Sequence, residues 1–141
     1  MKQSRVMLCV VAVVCAAIGL LTGGLLNAQD PLKSGTVLKR TSLSGAKGWD
    51  AILVLREVPP GAESGRHTQS GNEIVYIMEG SVVLEVEGKA AITVNAGEAF
   101  TTSMGEVHNV KNGSDTAPVK VLAFYIAKEG AEMEDLSVPA Q

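Results

Sequence analysis

Between residues 49 and 128 the chain is a run of short β-branched and apolar segments, each closed by a turn signal, and no window carries a helical stripe. Residues 51–58 (AILVLREV) stop at Pro59-Pro60-Gly61. Residues 74–78 stop at Glu79-Gly80, and residues 82–86 at Glu87-Gly88. Further β-prone pieces at 91–94, 99–102, 107–111 and 119–127 are separated by Ala96-Gly97, Met104-Gly105 and Asn112-Gly113-Ser114-Asp115. In 82–87 acids alternate with apolar residues over the second half, the pattern of a half-buried strand. Short strands at this spacing predict an all-β antiparallel sandwich or barrel, because such a chain must either pair or hide its sheet edges. The pattern alone does not separate an immunoglobulin-like sandwich from a jelly roll; the lack of a Cys…Trp…Cys framework leans against the former.

The chain before this region is of a different kind. Lys2 and Arg5 precede a stretch with no charge from residue 6 to residue 29, of which 6–21 is almost wholly apolar, ending in Leu26-Asn27-Ala28. That order of parts reads as a secretory signal peptide over 1–28; the competing reading is an uncleaved membrane anchor over 6–28. Residues 29–48 read as a linker feeding an edge strand, 49–128 as the barrel, and 129–141, with the acidic Glu132-Met133-Glu134-Asp135, as a tail. The expected location is periplasmic or extracellular, with no membrane contact after cleavage. Loss of 28 of the 141 residues leaves 113, and with Lys2 and Arg5 gone the net charge moves from −3 to −5. Both cysteines, Cys9 and Cys15, leave with the leader. The mature domain is therefore held by its core alone, and thiolate metal sites, CxxC redox chemistry and cysteine nucleophiles are excluded from it. An acidic balance without a Lys/Arg cluster argues against a nucleic-acid partner.

Both histidines of the chain, His67 and His108, fall in the β-rich part. On a strand, His67 and Gln69 would project to one face. The run Ser70-Gly71-Asn72 reads as a turn that brings Glu73 back beside them. His108 lies far downstream in a strand of its own. Two imidazoles, a carboxylate and an amide oxygen make a plausible divalent-metal set. Among other residues, Arg66 is expected on the opposite face from His67, solvated or paired with an acid. Asn72 is expected in a turn, and Trp49 over an edge. Tyr76, Phe100, Met104, Phe124 and Tyr125 are expected in the core, with pocket lining the alternative. No phosphate loop, nucleophile elbow or HExxH occurs.

The segment 61–80 resembles the first motif of the cupin superfamily, with Gly61, His67, Glu73 and Gly80 at the family's spacing and Gln69 where the second His usually stands. Gly88, Gly97, His108 and Asn112 resemble the second motif, with Asn95 in place of its usual Pro. The resemblance covers roughly residues 38–128 and is greatest to small single-domain cupins of type 2. It implies a jelly-roll β-barrel (a double-stranded β-helix), often a homodimer. It also implies a divalent metal held by His67, Gln69, Glu73 and His108. An amide oxygen is a harder donor than imidazole, which favours Mn, Fe or Ni over Cu and Zn. Three functional readings follow: a metal-dependent enzyme of dioxygenase, isomerase or lyase type acting on a small organic substrate; a non-catalytic module that binds or senses a metal or small ligand; and a structural barrel without metal.

Overall fold

A computed structural model describes residues 35–131 and the backbone of 135–137; the leader expected over 1–28 lies outside the described residues. The strands are β1 Thr36–Ser42, β2 Trp49–Val58, β3 His67–Thr68, β4 Gly71–Glu79 and β5 Ser81–Val86. They continue with β6 Ile92–Asn95, β7 Ala99–Thr102, β8 His108–Asn112, β9 Val119–Lys128 and β10 Asp135–Ser137. All pairings are antiparallel, and they build two five-stranded sheets: β1-β2-β9-β4-β7, hereafter the long-strand sheet, and β10-β3-β8-β5-β6, the short-strand sheet. The fold is an all-β jelly-roll barrel.

Period-2 alternation decides what fills it. Ile52, Val54 and Val58 of β2, Val75 and Ile77 of β4, and Val121 and Ala123 of β9 point inward from the long-strand sheet. They meet Val82, Leu84 and Val94 of the short-strand sheet in one buried cluster. Ile52 and Ile77 are fully buried, and each such side chain contributes about 1.5–3 kcal/mol of hydrophobic stabilisation. The central strand β9 pairs along ten residues with β2 on one side and along most of its length with β4 on the other.

Three expectations are corrected by the structure. Gly71 and Asn72 do not form a turn; they begin β4. Gly71 is there for close approach, since a Cβ at that position would stand 2.5 Å from the carbonyl oxygen of Ile126 and 2.9 Å from Cβ of Ala127. Part of the expected tail is a strand, because the backbone of Asp135–Ser137 pairs with β3. Tyr76 and Met104 are not core residues: strand phase turns Tyr76 outward, and Met104 lies in the turn after β7, whereas Phe100 and Tyr125 are buried as expected. The edge strand expected near residues 36–38 is present as β1, exposed along its length.

Candidate metal centre

The loop between β2 and β3 carries the chain to His67, and Asn112 fixes it. The Asn112 amide donates to the backbone carbonyls of Val58 (3.1 Å), Pro59 (2.9 Å) and Ala117 (2.9 Å), tying that loop to the one before β9. Its own backbone N–H donates to Ala62 O at 2.9 Å. Ser64 adds a second stitch: its N–H donates to Val110 O, and its hydroxyl oxygen receives Val110 N–H, both at 2.9 Å. Asn112 therefore acts on loop geometry, and the five-residue strand from His108 to Asn112 couples an imidazole to the clamp that places the other one.

His67 and His108 are a register pair across β3 and β8, with ring centroids 4.2 Å apart and planes tilted by 55°. Each Nδ1 sits on the carbonyl oxygen two residues earlier, Gly65 O at 3.0 Å for His67 and Glu106 O at 2.9 Å for His108. A carbonyl only accepts, so each Nδ1 donates, and in the neutral ring Nε2 keeps its lone pair. His108 is buried, and its Nε2 has no hydrogen-bond partner. Burial pushes the His108 pKa below the usual histidine value, against the opposing pull of the Glu106 carbonyl; the neighbouring His67 lowers it further. A buried, neutral imidazole with an unsatisfied nitrogen is costly unless something else uses that nitrogen.

Gln69 and Glu73 are placed differently. The short strand β3 ends at Thr68, and from there the chain crosses from the short-strand sheet to β4 of the long-strand sheet. The six-residue spacing from His67 to Glu73 thus spans the barrel, setting an imidazole on one sheet and a carboxylate on the other. Gln69 and Glu73 are both buried. They meet on Thr102 of β7, the register partner of Glu73. Gln69 Nε2 donates to Thr102 Oγ1 at 2.6 Å, and Thr102 Oγ1 donates to Glu73 Oε2 at 3.3 Å. The structure therefore brings the two histidines together and, separately, joins Gln69 to Glu73 through a threonine. Among the described residues, no group of three or more His, Cys, Asp or Glu side chains stands at metal-binding spacing.

A hollow of about 250 Å³ borders His108 and is lined also by Arg66, Val86, Glu87 and Val107. Arg66 is exposed and pairs with Glu87 at 2.7 Å, the acid pairing expected of it. Asn72 reads as a cap: its Oδ1 accepts the Met104 N–H at 3.1 Å and so holds the turn after β7. Thr102 and Ser64 were not legible as site residues. The one signal for Thr102 is its phase, a polar side chain two residues from the inward Phe100.

With this geometry in hand, the family can be stated. The cupin domain model matches residues 54–125, which includes all four candidate site residues, the whole of β8 and most of β9. The chain is a cupin. Among solved structures it is similar to a conserved protein with a double-stranded β-helix domain from Klebsiella pneumoniae (19% identity, TM-score 0.56, covering 70% of this chain and 75% of that one). It is also similar to a protein of Thermus thermophilus (22% identity, TM-score 0.52, covering 67% and 82%). At these identities the likeness shows the cupin fold. No curated protein matches the chain.

Proposed function

We propose that this cupin is an exported protein that binds a divalent metal between its sheets, with His67, His108 and Glu73 as ligands and the Gln69 amide oxygen as a fourth. The observation that carries this reading is the buried His108 Nε2, which has no hydrogen-bond partner while its Nδ1 is held by a backbone carbonyl. That is how a metal-binding imidazole is usually fixed. The residues fit the metal in chemistry: two neutral nitrogen donors, one carboxylate to offset charge and one neutral oxygen suit Mn, Fe or Ni better than Cu or Zn. When bound, such an ion supplies a Lewis acid with positions left for a small oxygen-bearing organic molecule. The protein's part is to hold both imidazoles in one tautomer, to exclude water from the barrel and to orient the carboxylate through Thr102.

Metal analysis of the mature protein after reconstitution with Mn, Fe, Ni, Cu and Zn tests this. Stoichiometric uptake is expected, abolished in His108→Ala; less than about 0.2 ion per chain would sink the reading, because a resident cofactor should load nearly fully. Oxygen uptake and turnover with small dicarbonyls and phenols separate an enzyme from a binding module. Export rests on the leader-like stretch over 1–28, and sequencing of the secreted protein should begin near Gln29. The assembly fitting the fold is a homodimer, supported by the apolar outward face of the long-strand sheet, where Ile74, Tyr76 and Met78 are 46%, 45% and 42% exposed.

A further inference from the structure

The chemistry of the Gln69–Thr102–Glu73 chain is directional. A threonine hydroxyl has one hydrogen to give and two lone pairs to receive with. Glu73, as a carboxylate, only accepts, so that hydrogen goes to its Oε2. The hydroxyl oxygen can then only receive from Gln69, so the amide must present its NH2 end, in keeping with the 2.6 Å contact to Nε2. Thr102 is 1% exposed, which shields its hydroxyl from bulk water. Its backbone is fixed opposite Glu73 by the β4–β7 ladder. The order of hydrogens along the three side chains therefore decides which atom of the Gln69 amide remains as a lone-pair donor.

We propose that Thr102 is a positioning residue: it commits the Gln69 amide nitrogen to itself, so that only the amide oxygen is offered to the metal, and it aims the Glu73 carboxylate at the same time. This rests on the metal reading above. Without the hydroxyl, the amide is free to present either end, and an NH2 end repels a cation. The site's preference for oxygen-seeking ions would then be set by a residue that never touches the ion.

The test uses the full mature protein with Mn²⁺ and Zn²⁺ as the probes, together with a measurement that needs no metal. In the apo protein, the side-chain NH2 protons of Gln69 should be distinct and slow to exchange by NMR. They should stay so in Thr102→Ser and lose protection in Thr102→Val, which keeps the shape and removes the hydroxyl. Unchanged protection in Thr102→Val would overturn the proposal. Thr102→Val should also weaken Mn²⁺ binding about tenfold, in the range usual for partners of metal ligands. It should weaken Zn²⁺ binding less, while Thr102→Ser restores both. Made on a Gln69→Ala background, Thr102→Val should shift the Mn²⁺-to-Zn²⁺ ratio much less; an undiminished shift would show that Thr102 does not act through the amide, and would overturn the proposal. A parent protein that binds neither ion while its Gln69 amide stays protected would bring down the metal reading and the metal half of this proposal, with the hydrogen-bond order left standing on its own measurement.

Discussion

The outward faces of the two sheets are unlike. On the short-strand sheet, Glu85 and Lys111 pair at 3.0 Å, Glu63 stands 3.6 Å from the same ammonium, and the Asn109 amide donates to both carboxylates at 3.0 and 2.9 Å. Each of these three charges has a partner within the chain; the Lys111 hydrogen bond holds the Glu85 carboxyl below its usual range and lifts the Lys111 ammonium above its own. On the long-strand sheet, the outward positions of β4 after Asn72 are Ile74, Tyr76 and Met78, beside the half-buried Leu122 and Phe124 of β9. An antiparallel strand with one wet face should alternate polar and apolar residues. The second half of β5 and the outward positions of β8, Asn109 and Lys111, are polar, while the middle of β4 and of β9 is apolar on both sides. One face carries paired charges, and the other exposes apolar side chains.

The inner side of β4 should show the largest effect. Ile77→Ala empties a fully buried position and is expected to cost about 2–5 kcal/mol in denaturant unfolding. Its outward neighbour gives the contrast. Tyr76→Asp combined with Met78→Asp should leave the monomer folded and move the protein from dimer to monomer in analytical ultracentrifugation. A parent protein that sediments as a monomer would break the comparison. Asn112→Ala removes the donor shared by three loop carbonyls, and a loss of about 1–3 kcal/mol is expected from leaving them unpaired. Acid should act through His108. Its folded-state pKa lies below the ordinary 6.5, so the stability tied to its neutral form is complete above that pH and is lost as pH falls through the folded value. The metal-free protein should therefore unfold at lower denaturant at pH 5 than at pH 7, and His108→Asn should flatten part of that slope. Lys111→Met, on the charged face, is expected to shift the melting temperature least and to become indistinguishable from the parent at high salt.

Much of this could be read before the structure, and the reason is the period. Seven of the ten strands follow from apolar runs bounded by Gly or Pro, because an alternating run has one way to bury itself in a sheet. Gly71 was misread because glycine signals both a turn and a close approach, and only the position of Ile126 on the neighbouring strand tells them apart. The strand Asp135–Ser137 was illegible because three polar-flanked residues carry no period, and the pairing depends on where β3 happens to run. His67, Glu73 and His108 stood out by type and spacing. Thr102 did not: its role comes from the β4–β7 register, which places it opposite Glu73, and a register between strands is not written in either strand alone.

The place of β9 at the centre of the long-strand sheet also sets a timetable. Val58 pairs with Val119 and Trp49 with Lys128, so that ladder joins segments more than sixty residues apart in the chain. β4 docks on the same strand. Loops of that length must close before the ladder returns any stabilisation, which makes folding slow for a domain of this size. Neither β2 nor β4 has its central partner until β9 has left the ribosome. Until then the nascent chain carries two apolar strands with open edges, and the long-strand sheet cannot be complete before its last long strand is made.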